Sequence, residues 1–275
     1  MLDMVQLLAL PFLTCLTMIG ILGYLGIHVL KREIIFIDIA VAQAAAVGSI
    51  IAHVIFKVGA HSPISYVCAL GFTFVAAIFY SLVRRKVSQI PLEAIIGVSY
   101  AVGAAAALFL IAVAAGGHTH VGHMLTGSIL WAKWSDILLC AIVFSTVGFL
   151  FYLFRIPFGK ISNDYDAALR GGMMVTWWDC LFYALFGIVI TVAVRIAGVL
   201  VAFAFLIIPA TVSALFSSRG KVRLVIAWIF GVVASVMGLI FSYCLDFSVG
   251  ASVVSFLGLA LVIVAVVKRL RPYAR

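Results

Sequence analysis

Charge is scarce in this chain. Of its 275 residues, 18 are Lys or Arg and nine are Asp or Glu, 10% in all, while 66% are apolar. Soluble domains run to roughly half apolar and a quarter charged. So few charges cannot clothe a water-facing surface, and this excludes a soluble domain of any size. No GxxxxGK[ST] loop is present, so the chain carries no nucleotide-hydrolysing engine of the P-loop kind. HExxH and GxSxG are absent too, and no nucleophile–base pair can be read off, which argues against a membrane-embedded enzyme. Cys15, Cys68, Cys140, Cys180 and Cys244 are scattered without CxxC spacing and read as small apolar packing residues. The first apolar run lacks a basic leader and a small-residue cleavage site, so it is expected to be retained as a span.

What the chain does have is long apolar runs, at 7–30, 34–56, 64–83, 92–114, 136–154, 178–194, 196–216, 224–244 and 250–267. Most come close to the ~20 residues a helix needs to cross the hydrocarbon core. The expected fold is therefore all-α: a polytopic membrane protein of nine spans, with residues 1–275 forming a single transmembrane domain. Basic groups follow every second run: Lys31/Arg32, Arg84/Arg85/Lys86, Arg155/Lys160/Arg170, Arg219/Lys221/Arg223 and Lys268/Arg269/Arg271/Arg275. Placing them in the cytoplasm puts 15 of the 18 basic residues inside and leaves Lys57, Lys133 and Arg195 outside. That predicts an outer amino terminus and an inner carboxyl terminus. The net charge of +9 then faces anionic lipid and calls for no nucleic acid.

Two runs carry the same stripe. Asp38, Ala42, Ala45, Ser49 and His53 recur at spacings of four, three, four and four, and Gly231, Ser235, Gly238, Ser242 and Asp246 repeat that spacing. Small residues so placed let helices pack closely in lipid. An ionisable group inside a span costs ~2.5–3.5 kcal/mol on insertion scales and must face a partner or a watered path. Asp38 is expected either to pair with Lys31/Arg32 or to line such a path, and His53 lies near the outer end. Gln43 stands off the stripe near mid-span, and its amide needs partners on another helix, in water or in a cargo. Glu93, Asp136 and Asp179 sit near helix starts, where the macrodipole accounts for them.

The loop after the fourth run reads Gly116-Gly117-His118-Thr119-His120-Val121-Gly122-His123 and holds half of the chain's six histidines. His118, His120 and His123 can converge on one metal ion if the glycines let the loop bend. No cysteine or carboxylate adjoins them, so an open capture site is expected rather than a closed structural zinc; the alternative is a plain polar turn. On the inner side, two stretches are placed to receive force from a partner. One is Ile161–Gly172, a short helix candidate with a glycine stop. The other, Ala210–Arg223, follows Pro209, which is expected to kink or end the seventh span and leave the stretch after it buried against a partner.

Gly198-Val-Leu-Val-Ala-Phe-Ala-Phe-Leu-Ile-Ile-Pro209-Ala210-Thr-Val-Ser-Ala214 resembles a segment of the membrane permeases of ABC importers for zinc, manganese and iron. Ser242, Asp246, Gly250 and Ala251 are similar to that family's serine-aspartate-glycine-alanine signature. Leu125, Gly127, Ile129, Leu130 and Asp136 match the pattern after its outer loop, and Asp166-Ala167 with Gly171 match its acidic-alanine-glycine stretch. The likeness runs in order from about residue 20 to residue 265. In one place it departs. Counting back from Gly48 puts Gln43 where many members have a histidine and Ile39 where they have an aspartate, with Asp38 one residue out of register. The family's usual aspartate–histidine metal pair therefore does not carry over.

The resemblance implies a type II, vitamin-B12-importer-like ABC permease and a transport subunit rather than an enzyme. Two copies would form the path in a bacterial plasma (inner) membrane. A cytoplasmic ABC ATPase dimer would supply ATP hydrolysis, and an extracytoplasmic metal-binding protein would deliver the ion. No cofactor is held covalently; the cargo is a divalent metal, zinc by the histidine loop, with manganese or iron as alternatives. Asp38, Gln43, Ser49, His53, Ser242 and Asp246 are the path candidates. Ala210, Ser213, Ser217, Ser218, Arg219 and Lys221, with Asp166, are the ATPase-contact candidates. The rival readings are a permease for an iron chelate or corrinoid, and a secondary metal carrier. The latter would be expected to show paired carboxylates or a broken-helix midplane site.

Overall fold

The computed structural model describes residues 2–59, 62–86, 89–113 and 129–270. Among these, all regular structure is helical: α1 (Leu2–Lys31), α2 (Ile37–Phe56), α3 (Pro63–Lys86), α4 (Leu92–Val113), α5 (Trp134–Leu153), α6 (Arg155–Asn163), α7 (Tyr165–Arg170), α8 (Val175–Ala197), α9 (Val199–Phe216), α10 (Gly220–Leu245) and α11 (Val249–Leu270), with a single 3-10 turn at Ile129–Trp131. Among the described residues nine helices, α1–α5 and α8–α11, are long and apolar enough to cross a membrane, one for each apolar run.

Local chemistry sets the helix ends. Pro63 opens α3, where a missing N–H costs nothing because first-turn donors are unpaired anyway. The Asp164 carboxylate accepts from the Ala167 N–H at 2.8 Å and so caps α7. Lys57 and Asp246 close α2 and α10 in the left-handed conformation, and their N–H groups donate to the carbonyls of His53 and Ser242.

The helices form two compact units. In one, α9, α10 and α11 pack on one another with most of α1 and the first half of α5. In the other, α2 packs on both α3 and α4, joined by the second half of α5, α6, α7 and most of α8. Both stripes prove to be packing faces. Asp38, Ala42, Ala45 and Ser49 are buried, as are Gly231, Ser235, Gly238 and Ser242. A Cβ on Gly238 would lie 2.7 Å from the Val253 Cα, and one on Gly48 2.6 Å from the Cys68 carbonyl oxygen. Backbone there meets backbone, which is what small residues provide where no hydrophobic force separates helix from lipid.

Pro209 does not end its span. α9 runs through it to Phe216, with Pro209, Ala210, Val212 and Ser213 all buried. The one backbone bond that Pro209 cannot make is outweighed where neighbouring helices enclose the site. The first turn after Pro209 is thus buried by this chain's own helices, whereas Ala214, Phe216 and residues 218–222 are exposed.

Candidate functional site

Four of the path candidates lie on α2, each in different surroundings. Asp38 occupies the first turn and is 2% exposed. The expected pairing with Lys31 or Arg32 does not form. Lys31 donates to Asn163 Oδ1 at 2.7 Å, and Arg32 turns to Asp179. Asp38 Oδ1 is left buried with no hydrogen bond among the described residues. Gln43, just over a turn further on, is half-buried against α4: a Cβ on Gly103 would lie 3.3 Å from the Gln43 Cβ. Its amide makes no hydrogen bond to another described residue, so it is not a tie between helices there.

Ser49 and His53 are already engaged. The Arg195 guanidinium, at the end of α8, donates to Ser49 Oγ at 2.6 Å and to Ser65 Oγ at 3.0 Å, and lies 3.8 Å over the Tyr66 ring. His53 donates from Nδ1 to the Val58 carbonyl at 2.8 Å, closing the turn after α2. In the other unit, the Ser242 hydroxyl donates to the Phe247 carbonyl at 2.6 Å, and exposed Asp246 is the left-handed end of α10. These two fasten a helix end.

The second feature is a buried charge cluster that the macrodipole argument for Asp179 missed. Arg32 belongs to the basic groups assigned to the cytoplasmic side, yet its side chain and that of Asp179 are both at 0% exposure. Arg32 Nη1 donates to Asp179 Oδ1 at 2.7 Å, and Arg84 Nη1 reaches Asp179 Oδ2 at 3.5 Å. Arg32 Nε donates to Ser162 Oγ at 2.9 Å while its guanidinium lies 3.7 Å over the Phe182 ring. Arg84 also contacts the Tyr183 hydroxyl at 3.4 Å and covers the Tyr165 ring at 4.4 Å. Burial pulls the Arg32 guanidinium below the usual arginine range, against which the Asp179 carboxylate pushes back. The same loss of water raises the Tyr165 phenol. A signal was available in the sequence: an aspartate within Trp177-Trp178-Asp179-Cys180-Leu181-Phe182 is too apolar in setting to stand without a cation.

The profile of the ABC 3 transport family matches residues 4–268. The chain belongs to the ABC 3 transport family. Among its relatives, the manganese transport system membrane protein MntC of Halalkalibacterium halodurans is 27% identical over 246 residues, covering 88% of this chain and 81% of that protein. The manganese import system permease protein ScaB of Streptococcus parasanguinis is 27% identical over 240 residues, covering 86% and 82%. Among solved structures, PsaBC from Streptococcus pneumoniae in complex with Fab aligns with a TM-score of 0.79 at 24% identity, covering 96% of this chain and 93% of that one. The resemblance read from the motifs holds, and the fold is that of the type II ABC permeases. This ABC 3 member is a multi-pass membrane protein.

The contact candidates of this ABC 3 chain divide by burial. Ala210 and Ser213 are at 0% exposure, so their side chains belong to no docking surface. Ser218 and Arg219 are exposed in the turn between α9 and α10 and Lys221 in the first turn of α10, with Ser217 half-buried beside them, and Asp166 is exposed on α7. His118, His120 and His123 lie outside the described residues. Among the described residues no group of three His, Cys, Asp or Glu side chains is placed to hold a metal ion.

Proposed function

We propose that this chain is the permease subunit of an ATP-driven importer of a divalent metal ion, with manganese as its leading cargo. The observation that carries the reading is on α2 of an ABC 3 permease. A buried Asp38 carboxylate oxygen and a half-buried Gln43 amide both lack hydrogen-bond partners among the described residues. A cation leaving water must be offered such oxygens in exchange. Five residues separate them, about 7.5 Å along the helix and about 140° around it, so they are successive stations and not two ligands of one ion. Carboxylate and amide oxygens suit a hard ion such as Mn²⁺ better than Zn²⁺, in keeping with what the relatives are named for. A neutral glutamine ligand lets the ion keep part of its water and move on. Zinc, the cargo first expected, has one observation in its favour: the three imidazoles His118, His120 and His123.

In this reading two copies form the path, an extracytoplasmic protein delivers the ion, and an ATPase pair binds on the basic side, which is cytoplasmic. The exposed residues Asp166, Ala167, Leu169 and Arg170 of α7 are the main ATPase contact, with the turn Ser218–Lys221 beside them. Single cysteines at Asp166 and Ser218 should crosslink to the ATPase. Crosslinks formed only from the opposite ends of the helices would reverse the topology. The deciding experiment is ATP-dependent uptake by the reconstituted complex, ion by ion. Uptake of manganese over zinc supports the reading, zinc over manganese restores the histidine argument, and uptake of chelates alone overturns both.

A further inference from the structure

We propose that Arg32, Arg84 and Asp179 form a positioning joint that carries displacement of α6–α7 into α2, α3 and α8, and that this joint couples ATP hydrolysis to ion movement. The inference rests on the permease reading above, and all its residues lie in one compact unit.

Five elements meet at the cluster. Arg32 stands in the turn just ahead of α2, six residues before Asp38; Arg84 is in the last turn of α3; Asp179 is near the start of α8. Ser162 of α6 accepts from Arg32, and Tyr165 of α7 lies under the Arg84 guanidinium. Lys31 adds a bond to Asn163 at the end of α6. The short pair α6–α7 exposes Asp166, Leu169 and Arg170 outward, while Ile161 and Ala168 pack inward with Val175. A push on its outer side therefore reaches the start of α2 through charged hydrogen bonds, not through mobile loop.

The chemistry makes these contacts stiff in one place and adjustable in another. Asp179 and Arg32 are shut off from water at 2.7 Å, so neither has an alternative partner in solvent. The Asp179–Arg84 contact is longer, 3.5 Å, and Arg84 is 13% exposed. Two guanidinium groups share one carboxylate. Arg32 Nη2 and the Tyr165 hydroxyl are buried with no hydrogen bond among the described residues. In a cluster that only holds the fold, two buried polar groups without partners are a cost with no return. A joint that exchanges partners between two arrangements needs them.

The test is made on the permease reconstituted with its ATPase in liposomes, measuring Mn²⁺ uptake and ATP hydrolysis in the same vesicles. Asp179→Asn and Arg84→Gln should leave hydrolysis running while uptake per ATP falls about tenfold, and Arg84→Lys should restore most of it. A purely structural cluster would lower the yield of assembled complex and leave uptake per ATP unchanged, which overturns the proposal. If Asp179→Asn fails to assemble, Arg84→Gln decides alone, since it removes only the longer, partly exposed contact; failure of both to assemble also overturns it. A wild-type complex that shows no ATP-dependent uptake of any divalent ion refutes the permease reading instead, so the two failures are distinguishable.

Discussion

Replacing Gln43 by leucine separates a path residue from a packing residue. The side chain is half-buried, and its amide has no hydrogen bond among the described residues, so the exchange breaks no interhelical bond there. Such bonds average about 0.6 kcal/mol in membranes and reach about 1.7. Leucine is close to glutamine in volume and branches beyond Cβ, which matters because α4 comes near at Gly103. The stability cost of Gln43→Leu should therefore stay below about 1 kcal/mol. Transport should respond far more. Loss of one oxygen ligand worth about 1.4 kcal/mol to an ion in transit is a tenfold effect, and the inserted methyl groups add a dry barrier. Assembly and Mn²⁺ uptake measured on the same preparations settle the matter. Intact assembly with uptake reduced at least about tenfold is expected, and Gln43→His should keep transport while shifting preference toward zinc. Normal uptake in a well-assembled Gln43→Leu complex would refute the path role.

Three further outcomes are expected, two from the geometry and one from the sequence. Asp179→Ala leaves the fully buried Arg32 without its anion and should lower stability by about 3–5 kcal/mol, whereas Arg84→Gln should cost about 1; thermal unfolding in detergent reads both. Gly238→Ala forces a methyl group to 2.7 Å from the Val253 Cα and should destabilise by about 1–3 kcal/mol, while Gly220→Ala, with nothing within 4 Å, should be neutral in the same assay. Replacing His118, His120 and His123 together by alanine should weaken uptake at scarce metal and spare it at abundant metal, because a capture site raises local supply; equal uptake across a metal titration would contradict that role.

Much of the architecture was legible before any coordinates. Nine spans, the packing role of both stripes and the family itself come from length, hydropathy and motif order, quantities that each segment carries locally. The short helix expected in Ile161–Gly172 is present as α7, opened by Asp164 and stopped at Gly171. Of the two outcomes open for Pro209, a kink or an end, the end does not occur, because a proline's effect depends on what surrounds the freed carbonyl, and α9 is enclosed there. Ser49 and His53 were polar residues at the right spacing, yet Arg195 and the Val58 carbonyl occupy them. No spacing rule could foresee Arg195 as the partner of Ser49, 146 residues away in the chain.

Amino-acid order by itself determined which segments enter the membrane, because burying an apolar run of about 20 residues in hydrocarbon is a property of that run alone. It also determined family membership and the irregular placing of Asp38 and Gln43. Tertiary structure alone decided which polar groups are spent and which are spare. Arg32 reads as an ordinary loop cation and Asp179 as a helix-start anion until the fold brings them to 2.7 Å away from water. Asp38 reads as the natural partner of Arg32 until that arginine is found elsewhere. The reason is that a charge's energy depends on its whole surroundings, on distance and on dielectric, and these exist only once distant segments have met.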